Sequence, residues 1–254
     1  MLTVDRLHHS YGPDHVAIAS LTFKVNEGEI VAIVGPSGCG KTTLLKSLAG
    51  LLRISGGAIR LDGQLVSDVP KGLAVVFQEY GRSLLPWCTV EANVQLPLRY
   101  QSLPSDVSRR RIKDSLAAVG LLHVAGQYPW QLSGGMQQRV AIARALAYHP
   151  KLLLMDEPFA SVDAQTRADL EDLVAEVRDR FDITIVLVTH DIDEAVYLSD
   201  RVLVLSASPS RLLADIPINV TRPRDQITTR ASEQFLTVRS EVVRLIRRQA
   251  PPAS

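Results

Sequence analysis

The sequence predicts an α/β protein with a parallel-sheet core, an N-terminal antiparallel β subdomain and an inserted α-helical subdomain. The apolar run Ile30–Val34 is dense in β-branched residues, which is typical of a parallel strand buried on both faces. Before it, apolar and polar residues alternate from Leu21 to Val25, the pattern of a strand in an antiparallel sheet. The stretch 86–150 has few strand signals and therefore predicts the helical subdomain.

A glycine loop and a helix follow the first buried run. The run ends at Gly35, and the leucines of Thr42–Leu52 then recur at intervals that place them on one side of a helix. Ser55, Gly56 and Gly57 interrupt that pattern. We therefore expect strand, glycine loop and helix in this order.

The parallel core is expected to resume after the helical subdomain. Within the subdomain, Asp106–Val119 predicts a charged helix closed by Gly120. Leu152–Met155 and Ile183–Val188 then have the character of buried strands, with a helix over Gln165–Arg180 between them. This alternation of strands and helices predicts crossover connections and helices that cover the sheet.

The C-terminal residues from Ala231 onward predict a separate short helical element. Their apolar members recur at helical spacing, with arginines around them. Packing on the protein's own core is the favoured role, and a membrane-surface or regulatory contact is the alternative. We therefore divide the chain into a domain 1–230, with the helical subdomain inside it, and a tail 231–254.

Composition limits the class of protein. The chain has 254 residues, of which 46% are hydrophobic, so it can form one substantial core. Its 28 basic and 27 acidic residues nearly cancel, which gives no indication of nucleic-acid binding. The longest apolar runs fall well short of the roughly 18 residues that span a bilayer. The N-terminus lacks the pattern of a secretory signal, and the two cysteines predict reduced thiols, so we expect a cytosolic chain.

The glycine loop has the pattern of a phosphate-binding loop. Residues 35–42 fit G-x-x-x-x-G-K-[ST] between a predicted strand and a predicted helix. Glycines let backbone N–H groups converge on phosphate, Lys41 adds a full positive charge, and Thr42 can place its hydroxyl on Mg²⁺. A glycine-rich turn with a surface lysine would not explain this context. The predicted nucleotide-contacting residues are Gly35, Pro36, Ser37, Gly38, Cys39, Gly40, Lys41 and Thr42. At Cys39 a small filler residue is favoured over a reactive thiol.

Two carboxylates follow the apolar run Leu152–Met155. In an open parallel sheet, ligand chemistry lies at the carboxyl ends of the strands. Asp156 is therefore expected to coordinate magnesium, and Glu157 to polarise a water molecule that attacks the γ-phosphorus. A solvated strand end or a helix cap would be the default interpretation of an isolated Asp-Glu pair, but the phosphate loop upstream reverses that preference.

One segment resembles a specific family. Leu132–Arg139, with Ser133, Gly134 and Gly135, resembles the signature motif of ATP-binding cassette (ABC) proteins. Taken alone, a serine followed by paired glycines is a good helix N-cap that could also receive an anion. The resemblance extends to about residue 205 and implies a P-loop ATPase fold with a RecA-like parallel-sheet core, the antiparallel β subdomain and the inserted helical subdomain.

The resemblance also implies roles that spacing does not reveal. Tyr11 corresponds to the aromatic residue that stacks on adenine, and Thr43 to a further nucleotide contact. Gln78 corresponds to the glutamine that contacts magnesium and senses the γ-phosphate. Asp163 corresponds to an aspartate that contacts the other subunit, and His190 to the histidine that holds the catalytic geometry. Without the resemblance, each of these residues has a structural interpretation. Tyr11 could cover a turn, Gln78 could be a polar strand end and Asp163 could cap a helix. A single histidine at a strand end, such as His190, would be structural.

The implied function is ATP hydrolysis in a transporter. The family closes each nucleotide between the phosphate loop of one subunit and the signature of the other, so the resemblance implies a homodimer that binds ATP and Mg²⁺. It also implies transmembrane permease subunits, an indirect solute-binding protein and a peripheral location on the cytoplasmic face of the membrane. The segment 78–87 resembles the importer subfamily for nitrate, sulfonate, taurine and bicarbonate. A soluble ABC ATPase acting on nucleic acid or ribosomes, and a metabolite kinase, are the alternatives.

Overall fold

The computed structural model describes residues 1–248, except for the side chains of Tyr80 and Arg82. The strands within this range are β1 Leu2–Ser10, β2 Val16–Val25, β3 Ile30–Val34, β4 Gly56–Leu61, β5 Gln64–Leu65, β6 Leu73–Val76, β7 Leu152–Asp156, β8 Thr184–Val188, β9 Arg201–Leu205 and β10 Ser210–Pro217. The α-helices are α1 Lys41–Leu48, α2 Tyr80–Ser83, α3 Val90–Gln95, α4 Ser105–Ala118, α5 Gly134–Ala147, α6 Ala164–Phe181, α7 Ile192–Leu198 and α8 Glu233–Arg247. Short 3₁₀ turns cover Leu96–Tyr100, Leu122–Val124 and Pro129–Gln131.

The chain divides into two compact units. The first contains Met1–Lys71 together with the chain from Thr184 onward, and the second contains Gly72–Ile183. The predicted mixed α/β fold is confirmed, with parallel and antiparallel strands and a long helical insertion. The finer division into 1–230 and 231–254 stays a prediction, and residues 249–254 of that tail lie outside the described part of the chain.

The sheet of the first unit combines antiparallel and parallel strands. Its order is β5-β4-β1-β2-β10-β9-β3-β8. β1 pairs antiparallel with β2 and β4, as the alternation near the N-terminus predicts. β3 pairs parallel with both β8 and β9, and its five residues are all buried. A strand enclosed on two edges and two faces needs the continuous apolar sequence of Ile30–Val34.

Helix α1 is shorter than the sequence pattern indicates. We expected a helix over Thr42–Leu52, but α1 ends at Leu48, and the prediction of its C-terminus is wrong. Gly50 has φ +70, the left-handed conformation that terminates helices, and a Cβ there would lie 2.3 Å from the Asp68 carbonyl oxygen. The backbone N–H groups of Leu51 and Leu52 both bond to the Lys46 carbonyl, which closes the helix end.

The second unit contains the helical insertion and two parallel strands. β6 pairs parallel with β7, with Leu73 opposite Leu152 and Val76 opposite Met155. The predicted charged helix is confirmed as α4, and Gly120 beyond its end has φ +72. The predicted helix over Gln165–Arg180 is confirmed as α6.

The described part of the C-terminal tail is helical and packs on the protein's own core. In α8, Phe235 and Val242 are buried, and the helix lies against α7 and β9 of the first unit. Packing on the core, the interpretation that the spacing favours, is therefore confirmed for this helix.

Candidate nucleotide-binding site

The phosphate loop connects β3 to α1 in a conformation that requires glycine. Gly38 has φ +74 and Gly40 has φ +99, both in the region that side chains with a Cβ rarely adopt. Gly40 is the N-cap residue of α1, and a Cβ on it would lie 3.3 Å from the Ala17 carbonyl oxygen. The loop therefore leads directly into a helix N-terminus, where free N–H groups and the helix dipole favour an anion.

Lys41 is held across this loop. Its side chain is 7% exposed, and its Nζ donates hydrogen bonds to the carbonyl oxygens of Gly35 at 2.8 Å and Pro36 at 3.1 Å. Buried charges need partners of this kind because desolvation is otherwise costly. The ammonium group is thus fixed at the loop that the glycines shape, as a phosphate ligand must be.

Cys39 fills space behind the loop. The residue is fully buried, and a Cβ on Gly35 would lie 2.9 Å from its Sγ. Burial raises the pKa of the Cys39 thiol, although the Lys41 charge and backbone hydrogen bonds act in the opposite direction. These features favour a space-filling role for Cys39 over a role as a reactive thiol, because a buried thiol with a raised pKa is a poor nucleophile.

Tyr11 lies beside the start of α1. Its Oη is 3.0 Å from the Thr43 Oγ1, and the residue is 56% exposed. The rings of buried His9 and Tyr11 form a T-shaped pair, with centroids 4.6 Å apart and planes at 86°. The structure therefore brings together two of the predicted nucleotide residues, and the stacking of Tyr11 on adenine stays a prediction.

His190 follows β8 at the carboxyl edge of the sheet. β3 and β8 are parallel neighbours, with Ile33 opposite Val188, and the Thr189 backbone N–H bonds to the Ile33 carbonyl at 3.1 Å. His190 itself is exposed. The histidine and the phosphate loop thus leave adjacent strands at the same edge, where parallel sheets hold ligands.

In the second unit, Gln78 contacts Glu157. Asp156, the last residue of β7, is 5% exposed, and Glu157 follows it with φ +42. Left-handed backbone at a residue other than glycine is strained and is common at functional sites. The Gln78 Nε2 donates to the Glu157 Oε2 at 3.1 Å, which joins two predicted residues 79 positions apart.

The signature segment forms the predicted N-terminus of α5. Ser133 is the N-cap, and its Oγ accepts a hydrogen bond from the Met136 N–H at 3.3 Å, so the predicted N-cap is confirmed. Ser133 and Gly134 are exposed, whereas Gly135 is partly covered by α6. A Cβ on Gly135 would lie 2.4 Å from the Thr166 Cγ2, so this glycine permits a close approach of the two helices.

Thr166 is a residue that the sequence interpretation missed. Asp163 caps α6 by accepting a bond from the Thr166 N–H at 3.0 Å, and its second carboxylate oxygen accepts one from the Thr166 hydroxyl at 2.7 Å. These bonds lower the pKa of Asp163. Thr166 therefore touches both the Asp163 loop and the signature glycine. The spacing Asp-x-x-Thr could have indicated the cap, but not the contact with Gly135.

The residues predicted to bind magnesium carry suitable oxygen atoms. The hydroxyl of Thr42, the amide of Gln78 and the carboxylate of Asp156 are hard donors of the kind that Mg²⁺ prefers. The described residues hold no cluster of three or more His, Cys, Asp or Glu side chains.

Comparison with known proteins identifies the family. The ABC transporter family model matches residues 18–160. An ABC transporter ATP-binding protein of Methanocaldococcus jannaschii, described as uncharacterized, is 44% identical over 231 residues, 91% of this chain and 84% of that protein. The chain belongs to the ABC transporter family. The metabolite kinase is thereby excluded, and this ABC protein is an ATPase that binds ATP together with Mg²⁺.

Two named relatives and one solved structure extend the comparison. The bicarbonate transport ATP-binding protein CmpC of Synechocystis is 39% identical over 241 residues, 94% of this chain and 36% of CmpC. The nitrate import ATP-binding protein NrtC of Synechococcus elongatus is 39% identical over 255 residues, 98% of this chain and 38% of NrtC. The chain thus spans little more than a third of these two relatives.

The solved structure is a dimer of the ATP-binding cassette MJ0796 in a post-hydrolysis state, bound to ADP and phosphate. It has a TM-score of 0.74 and 29% identity, and the match covers 86% of this chain and 99% of the cassette. Among residues 1–248, no helix is long and apolar enough to cross a membrane. This chain is the ATP-binding subunit of a transporter.

Proposed function

We propose that this ABC ATPase supplies the energy for an importer of a small oxyanion or organosulfonate, of the chemical class of nitrate, bicarbonate, sulfonates or taurine. The bond between Gln78 and Glu157 carries the mechanistic part of the proposal, because it holds a candidate water activator next to a residue that can respond to the bound nucleotide. The names of the nitrate and bicarbonate relatives support the substrate class.

In the proposed reaction, each residue has a distinct task. Lys41 and the N–H groups at the start of α1 bind the β- and γ-phosphates, and Tyr11 stacks on the adenine. Glu157 orients and polarises the attacking water in line with the γ-phosphorus. His190 contacts the γ-phosphate and stabilises the transferring group. Thr42, Gln78 and Asp156 would hold magnesium, which would supply positive charge next to the phosphates.

The active form is proposed to be a homodimer. The sequence contains one phosphate loop and one signature segment, and a matching cassette of the same family has been solved as a dimer. Exposed Ser133 and Gly134 lie at the N-terminus of α5, which suits them to an anion on a second copy. Asp163 would contact the partner subunit beside them. ATP would thus favour the closed dimer and hydrolysis would release it.

The dimer is tested with Glu157→Gln, which keeps the shape of the side chain but removes its charge. With ATP and Mg²⁺ we expect this variant to bind nucleotide, to lose at least about 100-fold in turnover and to accumulate as a dimer in light scattering. Ser133→Arg in the same background should bind ATP yet remain monomeric. Wild-type turnover in Glu157→Gln would refute the role of Glu157, and an ATP-dependent dimer with Ser133→Arg would refute the signature contact.

The permease subunits are proposed to dock on the helical insertion, at the cytoplasmic face of the membrane. In the segment that follows Gln78, the Trp87 side chain is 72% exposed, and Trp130 before the signature is 70% exposed. Large exposed aromatic residues are enriched in protein interfaces. The solute-binding protein would then act through the permease.

The substrate class is tested in proteoliposomes that contain the permease recovered with this chain, together with its solute-binding protein. We expect one oxyanion among nitrate, bicarbonate, sulfonates and taurine to stimulate ATP hydrolysis and to accumulate inside the vesicles. The same complex assembled with Glu157→Gln is the control and should not transport. Recovery with ribosomes or nucleic acid in place of a membrane protein would overturn the proposal.

A further inference from the structure

The chain beyond β10 contacts the short helix α7, which begins two residues after His190. At the amino end of α7, Asp193 forms an ion pair with Arg239 of α8; the two side chains are 37% and 43% exposed. α8 is itself anchored, because Phe235 is 2% exposed and Val242 is fully buried. Arg239 therefore projects from a fixed helix onto the first turn of α7.

Two further arginines hold the carboxyl end of α7. The Arg224 Nη1 donates to the carbonyl oxygens of Tyr197 at 2.6 Å and Ser199 at 2.9 Å. The Arg222 Nη2 donates to the Leu198 carbonyl at 3.2 Å. The last carbonyl groups of a helix lack partners within it, so these guanidinium groups satisfy the end of α7 and complement its dipole.

The backbone around His190 is tied to α7. The Asp191 N–H bonds to the Thr189 Oγ1 at 3.0 Å, and the Asp191 carboxylate accepts bonds from the N–H groups of Asp193 at 2.9 Å and Glu194 at 3.1 Å. Any shift of the first turn of α7 therefore moves Asp191 and the peptide that carries His190. α7 has only seven residues, and so short a helix depends on outside contacts for its position.

We propose that residues 218–248 form a brace that positions His190 for ATP hydrolysis, with Arg239 and Arg224 as the positioning residues. This inference rests on the proposed role of His190 at the γ-phosphate. The brace fixes α7 at both ends, and α7 in turn fixes the loop of His190. These contacts all lie beyond residue 160, where the match to the family model ends.

Arg239→Ala tests the brace, and Arg244→Ala is its matched control. Arg244 is exposed on the same helix, so the control removes an equal charge while the ion pair between Arg239 and Asp193 remains. We expect Arg239→Ala to lower kcat for ATP hydrolysis about two- to fivefold, the range that an exposed ion pair can supply, with the KM for ATP unchanged. Arg244→Ala should leave kcat at the wild-type value. Arg239→Lys should recover much of the loss because it keeps the charge.

The decisive measurement repeats Arg239→Ala in a His190→Ala background, under single-turnover conditions that keep slow rates measurable. If the brace acts through His190, Arg239→Ala will not slow hydrolysis further in that background. An equal loss in both backgrounds, or equal losses for Arg239→Ala and Arg244→Ala, would refute the brace. Full turnover in His190→Ala would instead refute the proposed role of His190 itself.

Arg224→Lys provides a second test at the other end of α7. A lysine keeps the charge but cannot bond several carbonyl groups with one fork of N–H donors. We expect a lower kcat with an unchanged KM and a circular dichroism spectrum like that of the wild type. A rise in KM at unchanged kcat would contradict a positioning role for Arg224.

Discussion

The phosphate loop and the signature segment both depend on glycine, but for different physical reasons. In the loop, Gly40 adopts φ +99 and needs the conformational freedom of glycine. In the signature, Gly135 belongs to a regular helix and needs only to be small, because α6 places Thr166 against it. A requirement for a backbone conformation cannot be met by changing a neighbour, whereas a requirement for space can.

The largest effect on ATP affinity is expected for Gly40→Ala. A Cβ at φ +99 is strained, and it would also lie 3.3 Å from the Ala17 carbonyl oxygen, so the loop must deform. We expect ATP affinity to fall about five- to thirtyfold, which corresponds to the cost of about 1–2 kcal/mol for left-handed backbone. Isothermal titration with a nonhydrolysable ATP analogue measures the affinity, and Lys41→Ala serves as the reference for a lost phosphate ligand. Wild-type affinity in Gly40→Ala would show that the loop tolerates a Cβ.

A reversible effect, on stability rather than on ATP affinity, is expected for Gly135→Ala. Its Cβ would meet the Thr166 Cγ2 at 2.4 Å, and overpacking of this kind costs about 1–3 kcal/mol in free energy of unfolding. Thr166→Ser removes that methyl group but keeps the hydroxyl that bonds Asp163. The double variant should therefore recover most of the stability lost in Gly135→Ala.

Chemical denaturation of the three variants measures this recovery. Thr166→Ser alone is the control, and it should lose little stability. If the double variant is as unstable as Gly135→Ala, the two helices do not compete for the space that the methyl group occupies. At the phosphate loop we expect no such recovery, because Gly40 is required for its backbone conformation and no substitution of a neighbour restores that conformation.

Local patterns predicted much of this fold because the residues that determine them are adjacent in sequence. Ile30–Val34 shows its burial in its own composition, and the glycine loop shows its chemistry in the order of strand, loop and helix. The end of α1 was misjudged because Leu51 and Leu52 continue the apolar spacing beyond Gly50, where the backbone already turns. Periodicity indicates which positions are apolar, but it does not indicate that a residue between them has left-handed backbone and ends the helix.

Contacts between distant segments could not be read from the sequence. The Gln78–Glu157 bond and the approach of Gly135 to Thr166 depend on how separate strands and helices pack. The resemblance supplied roles for Gln78 and Asp163, but it did not indicate Thr166 or the arginines around α7. Packing against partners far along the chain determines such positions, and no local pattern encodes it.

The last comparison concerns the two thiols, Cys39 inside the loop and Cys88 in the helical insertion. Cys39 is fully buried between the loop glycines, and burial raises its pKa, whereas Cys88 is only partly buried. Burial hinders access to the Cys39 thiol and raises its pKa, so at pH 8 iodoacetamide should modify Cys88 at least about tenfold faster. Raising the pH toward 10 should accelerate the Cys39 reaction, because thiolate accumulates as the pH approaches the raised pKa. Peptide mass spectrometry over time follows both sites, and labelling of Cys39 as fast as Cys88 at pH 8 would mean that the loop opens readily and that its glycines do not hold one conformation.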